Sequence, residues 1–155
     1  MRQLKSIVTL IFLSLLIGAC SDDDQLPKAI KPSIEEEILR LVNEHRSGLG
    51  LNELSSNQVI INEARKHSQA MSSGTVSFGH DGFDDRISVI KSEITGNGFA
   101  ENVATGYTDA AKAVNGWLNS SGHKKNIEGN YNLTGIGVAA SNDGTLFFTQ
   151  IFMHN

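Results

Sequence analysis

Apolar positions recur at helical spacing in three stretches of this chain and then give way to a strand-rich end. Ile34, Ile38, Leu41 and Val42 lie three or four residues apart, which places them on one face of a helix. Ser33-Ile34-Glu35-Glu36 fits a capping box at its start, and Ser47-Gly48 marks its end. His45 and Arg46 fall in its last turn, where cations suit the helix dipole, and His45 reads as a surface or capping residue. A second helix is expected over about residues 56–72, with Val59, Ile60, Ala64, His67, Ala70 and Met71 on one stripe and Gly74 as the stop. His67 on that stripe fits a hydrogen-bonded core residue better than a metal ligand. A third helix starts at Thr108-Asp109 and buries Ala110, Ala111, Ala113, Val114, Trp117 and Leu118.

The segments between and after these helices have other signatures. Residues 75–86 are rich in small residues and Asp-Gly, an irregular loop that Phe78 and Phe83 can pin to the core. Asp84 or Asp85 is expected to cap a short helix running to Lys91. Residues 99–104 form a short apolar stretch interrupted by Glu101 and Asn102. Residues 132–140 read as a glycine-thinned strand, Asp143-Gly144 as a hairpin turn, and residues 145–153 as the partner strand. Helices first and an antiparallel hairpin last make the chain α+β.

The N-terminus changes the picture of where this domain works. Arg2 and Lys5 precede an apolar run, Ile7 to Ile17, that is short for a membrane span. The run ends in Leu16-Ile17-Gly18-Ala19-Cys20, similar to a bacterial lipobox with Cys20 as the acyl acceptor. The alternatives are an ordinary secretory signal and an uncleaved anchor. The expected organisation is a signal peptide over residues 1–19, a lipidated Cys20 with an acidic tether over 20–32, and one domain over 33–155. Removing residues 1–19 takes away Arg2 and Lys5 and no acid, leaving 11 basic against 17 acidic residues, a formal −6. That balance argues against a nucleic-acid partner. Ser21-Asp22-Asp23-Asp24 resembles the acidic runs that send some lipoproteins to the cell surface. The expected location is a bacterial cell envelope, lipid-anchored at the outer membrane and exposed at the surface. With one cysteine, no intrachain disulfide can form.

Three pieces of the chain carry the candidate chemistry. Trp117-Leu118-Asn119-Ser120-Ser121-Gly122-His123 turns from a large apolar anchor onto a histidine. Phe78-Gly79-His80 presents another histidine from a loop between anchors, as site residues often are. Glu101, if it points inwards, needs a partner, because an unpaired buried carboxylate is costly; a histidine is the expected one. His80, Glu101 and His123 are therefore expected to converge. Gly135-Ile136-Gly137-Val138-Ala139-Ala140 has the letters of a dinucleotide fingerprint, but no helix follows it to receive a pyrophosphate. No Gly-x-Ser-x-Gly or paired-cysteine motif is present.

Taken together, these segments resemble the CAP superfamily (the SCP domain), in its compact bacterial form. The resemblance runs from about Ile34 to Phe152. It rests on Leu41-Val42-Asn43-x-x-Arg46, Phe78-Gly79-His80, Arg86, Ala100-Glu101-Asn102-Val103-Ala104, Trp117 to His123, Asn126-Ile127, Gly135-Ile136-Gly137-Val138 and Phe148-Thr149-Gln150-Ile151-Phe152. It implies an α-β-α sandwich with a central antiparallel sheet flanked by helices. It also implies a cleft whose two histidines and two acids sometimes hold zinc or another divalent metal. His80, Glu101 and His123 match three of the four; Asn119 or Ser120 stands where the second acid is usual, and Ala100 replaces a common glycine. The three matching residues are the candidate metal ligands and catalytic residues, and Asn102, Ser120 and Ser121 the expected ligand-cleft residues.

Two functions from different classes follow. The first is a non-enzymatic module that binds a small molecule, lipid, peptide or glycan at this cleft. The second is a metal-assisted hydrolase of peptide or cell-wall material, with Glu101 or a metal-bound water as base. The missing second acid favours the first. A third reading makes the three residues a structural polar cluster.

Overall fold

The Ser33 capping box forms as expected: its hydroxyl accepts the Glu36 amide at 3.2 Å, and Glu36 accepts the Ser33 amide at 2.7 Å. This starts helix α1, Ile34–Gly48, in a computed structural model that describes residues 32–155. The signal peptide, Cys20 and the acidic tether up to residue 31 lie outside the described residues. The remaining elements, in order, are β1 (Ser55–Ser56), α2 (Gln58–Ser72), α3 (Phe83–Glu93), β2 (Asn97–Thr105), α4 (Ala110–Leu118), α5 (Ser121–Ile127), β3 (Leu133–Ala140) and β4 (Leu146–His154). Asn57 caps α2 and Asp109 caps α4 through their side chains. No described helix is long and apolar enough to cross a membrane.

The sheet order is β1-β3-β4-β2. Both long pairings, β3 with β4 and β4 with β2, are antiparallel; the two-residue β1 lies parallel to β3, so the expected antiparallel sheet is mixed at one edge. Side chains alternate across a strand, and β4 sorts the core accordingly. Phe148 and Phe152 face α1, α4 and α5, packing with Ile38, Val42, Val114, Trp117 and Ile127. Ile151 and Met153 face α2 and α3, packing with Ile60, Ala64, Ile87 and Ile90. The result is the expected α-β-α sandwich.

Glycine sets the spacing on the second face. A Cβ at Gly135 would fall 2.3 Å from the Ile60 backbone, and one at Gly137 would fall 2.2 Å from the Arg65 amide. The supposed fingerprint is thus a packing device that lets α2 lie directly on β3. Ser68 of α2 donates to the Gly137 carbonyl at 2.9 Å across this contact.

Several local expectations are corrected or extended. Arg46 lies in the last turn of α1 as expected, but it is buried, at 2% exposure, which the sequence did not indicate. Its guanidinium donates to the carbonyls of Asn52 (2.8 Å), Ile127 (2.7 Å), Gly129 (2.9 Å) and Tyr131 (3.1 Å), joining α1 to the end of α5. Phe78 is not a core anchor but half exposed, tilted against Phe147. Neither Asp84 nor Asp85 caps α3; both sit in its first turn, and the cap is Gly82 at φ +76°. The Ser-Ser-Gly-His turn is the start of helix α5.

Gly137→Ala is expected to destabilise the fold by about 3 kcal/mol or more, because backbone rather than a flexible side chain must move. Gly122→Ala, with nothing within 4 Å of the new Cβ, is expected to be neutral or stabilising by up to about 1 kcal/mol. Urea midpoints of the two variants check this; equal midpoints contradict the close α2–β3 packing.

Candidate functional site

β2 forms one edge of the sheet, and two consecutive residues on it face opposite ways. Glu101 points to the α3 side, where it is 6% exposed. Arg86, in the first turn of α3, meets it as a fork: Nε donates to Oε2 at 3.0 Å and Nη2 to Oε1 at 2.8 Å. The same guanidinium donates to the Asp81 carbonyl at 2.8 Å, so the ion pair also closes the loop before α3. His80 lies on that loop, and its Nδ1 is 2.9 Å from Glu101 Oε1. A carboxylate beside a guanidinium has no proton to give, so His80 Nδ1 carries the hydrogen. Its Nε2 has no hydrogen-bond partner among the described residues, and the side chain is 54% exposed.

Asn102 points the other way and is fully buried. Its amide donates to the His123 carbonyl at 3.1 Å, and its Oδ1 accepts from Asn126 Nδ2 at 2.9 Å. Asn126 also donates to the Glu101 carbonyl at 3.3 Å. These bonds hold α5 against β2 and so place His123 in the first turn of that helix. The His123 ring is half-buried, and neither ring nitrogen is hydrogen-bonded among the described residues. Burial first, and the charge of His80 second, hold its imidazole below the ordinary value of 6.5.

The structure therefore brings His80 and Glu101 into contact and sets His123 near them without a bond to either. Glu101, with both oxygens engaged by Arg86 and one also by His80, is already a satisfied anion. Among the described residues, no group of three or more His, Cys, Asp or Glu side chains is disposed to hold a metal ion. The donor set available to a cation is two imidazoles, which does not fit a three-ligand zinc centre. Of the expected cleft residues, Asn102 has both ends of its amide engaged inside the protein. Ser120 is half-buried beside Tyr107 and Asn119, and Ser121 is exposed beside Lys124 and Tyr131.

Sequence reasoning named Glu101's histidine partner but not its arginine. The signal was present: an arginine at the start of a helix can reach a buried acid as readily as a neighbouring histidine can. His67 is a second contributor. Buried at 4% exposure, it donates from Nε2 to the Gly79 carbonyl at 2.8 Å and so holds the residue before His80. His45, half-buried, pairs with Glu128 at 2.9 Å and stands apart from this cluster.

Residues 39–152 match the CAP family, the Cysteine-rich secretory protein family, and the chain belongs to it. It is 30% identical over 148 residues to the uncharacterised membrane protein YlbC of Bacillus subtilis, covering 92% of this chain and 41% of that protein. It is 32% identical over 119 residues to the uncharacterised protein YkwD of the same organism, covering 75% and 46%. The chain thus spans less than half the length of these curated relatives. Among solved structures, an extracellular SCP-domain protein of Bacillus anthracis superposes with a TM-score of 0.65 at 30% identity, covering 79% of this chain and 40% of that one. An outer surface protein of Borrelia burgdorferi superposes with a TM-score of 0.68 at 21% identity, covering 81% and 97%, which speaks for the fold alone.

Arg86→Met leaves a carboxylate buried without its cation and is expected to cost about 3–5 kcal/mol, with much of the loss recovered in Arg86→Met/Glu101→Gln. Denaturant titration of single and double variants measures this. Additive losses contradict a coupled pair.

Burial holds the His67 imidazole below 6.5, the Gly79 bond opposing and the Arg86 charge reinforcing the shift. The unfolded chain therefore binds more protons than the folded one just below pH 6.5, so His67 removes stability as pH falls through that value. His67→Gln keeps a donor for Gly79 and is expected to lose less stability between about pH 7.5 and about pH 5 than the wild type. An unchanged pH slope contradicts this role.

Proposed function

We propose that this chain is a non-enzymatic binding module of the cell envelope, taking a small molecule, lipid, peptide or glycan at the surface between His80 and His123. One observation carries the reading: the buried acid is spent on positioning His80, while the imidazoles of His80 and His123 keep nitrogens without a partner among the described residues. His80 Nε2 can accept a hydrogen bond from a ligand, and the His123 ring can donate or accept one. Glu101, with both oxygens bonded and its side chain 2% exposed, is out of reach of a substrate proton, so it is a poor general base. That weighs against the metal-assisted hydrolase, the second reading.

The module sits on the membrane through an acylated Cys20, with the acidic run after it directing exposure at the outer membrane. Zinc or another divalent ion is no part of the fold in this reading; two imidazoles offer it a weak seat at most.

The test is zinc calorimetry, followed by NMR titration with soluble peptidoglycan fragments and short-chain lipids, on the wild type and His80→Ala/His123→Ala. The expected outcome is ligand-induced shifts at His80 and His123 that the double variant loses, without turnover. Zinc-dependent hydrolysis of peptide or cell-wall material would falsify the binding reading and restore the hydrolase.

A further inference from the structure

The sheet has two long edges. β2 carries the site described above, and β3, on the opposite side, is largely open. β1 covers only its start: Ser55 and Ser56 lie against Leu133 and Thr134, and the Asn57 amide donates to the Thr134 carbonyl at 2.9 Å. Beyond that point no described strand pairs with β3 on this side. Hydrogen-bonding directions alternate along a strand in an antiparallel pair, so Ile136, Val138 and Ala140 follow Thr134 in pointing their backbone groups outwards. The edge lies in a groove. A concavity of about 220 Å³ is walled by Leu39 of α1, Ile61 of α2 and Ile136. A second, of about 510 Å³, continues along residues 138–142 beside Gln69 and Ser72 of α2. Arg65 lines both.

Glu35 sits where the two meet. Its Oε1 accepts the Val138 amide at 3.1 Å. Arg65 grips the same carboxylate, with Nε 3.0 Å from Oε1 and 3.1 Å from Oε2 and with Nη2 also on Oε2. The backbone N–H that a neighbouring strand would use is thus held by a carboxylate, and that carboxylate is seated on a guanidinium. A strand-edge amide and an arginine fork are what a free peptide carboxylate requires.

We propose that the β3 groove binds extended peptides by their free C-terminus, and that Glu35 is an internal occupant of the carboxylate seat. The peptide lies antiparallel to the end of β3, pairing with the outward groups of Ala140 and running on beside Ser141 and Asn142. Its terminal carboxylate displaces Glu35 from the Val138 amide and Arg65, and its last side chain enters the Leu39–Ile61–Ile136 concavity. The apolar wall selects an aliphatic terminal residue. A second copy of this chain is a poorer occupant: walls from α1 and α2 flank the groove, which admits one strand but obstructs the edge of a sheet carrying its own helices.

The experiment is fluorescence anisotropy of the full chain with a pool of labelled pentapeptides ending in Val, Leu or Ile, as free acids and as C-terminal amides. Free acids are expected to bind saturably and amides about tenfold more weakly. Arg65→Ala should weaken the free acids by about tenfold or more, and Glu35→Ala should strengthen them by about tenfold, since it removes the competing carboxylate. Amide NMR shifts should gather at Ile136, Val138 and Ala140 and spare His80 and His123, which keeps this result separate from the fate of the histidine site. No binding by either wild type or Glu35→Ala overturns the proposal and leaves the Glu35–Arg65 pair as a cover for the sheet edge. Equal affinity of acids and amides, or shifts confined to the histidine site, also overturns it.

Discussion

A carboxylate buried at the edge of a sheet has to find a cation, and the position of the histidine site follows from how Glu101 finds one. Arg86 supplies both hydrogen bonds of a fork from the first turn of α3. Because the same guanidinium also ties down the Asp81 carbonyl, the loop from Gly79 to Gly82 is drawn against β2. His80 then lies within 2.9 Å of the same carboxylate. One residue further along β2, the alternation of side chains sends Asn102 to the opposite face, where it takes hold of α5 through the His123 carbonyl and Asn126. Two neighbouring residues thus place two histidines that come from segments 43 positions apart in the chain. Such an arrangement contributes little net stability for a buried pair, but it leaves few other ways to close these loops.

Arg46 plays a comparable part on the other helical layer with a different chemistry. Among the described residues no carboxylate meets it; four backbone carbonyls from the 52 and 127–131 segments accept its hydrogens. Three of those carbonyls lie at or just beyond the end of α5, where helical carbonyls lack intrahelical partners. A planar donor with five N–H groups satisfies them in a way a lysine could not. α5 is therefore fixed at its start by Asn102 and at its end by Arg46. A seven-residue helix with two exposed lysines depends on such outside anchors more than on its own propensity.

Much of this was legible in the sequence because it rests on local periodicity and capping. The Ser33 box, the α4 cap at Asp109, the β3–β4 hairpin and the burial of Ile38, Val42 and Trp117 all follow from residues close together in the chain. What sequence reasoning missed depends on partners far apart. Arg46 occupies a helical position in register with Ile38 and Val42, but its burial requires carbonyls more than eighty residues away. The Arg86 fork competes with His80 for one carboxylate, and only the folded geometry shows that both are accommodated. Gly135 and Gly137 read correctly as part of a glycine-thinned strand, but the reason for the glycines, the backbone of α2 lying across β3, is not visible in the linear pattern. Ser121 to Ile127 has glycine near its start and no helical apolar repeat, so its helix comes from tertiary anchors that a linear pattern does not reveal.

The claim on which the account most depends is that Glu101 is a positioning anion that leaves His80 with its Nε2 turned outwards. Two-bond ¹⁵N–¹H correlation spectra of the imidazole groups test it directly. For the neutral ring, the account predicts that His80 is the Nδ1–H tautomer, donating to Glu101, with an unprotonated Nε2. An Nε2–H tautomer for His80, or equal populations of the two that do not respond to Glu101→Gln, would contradict it.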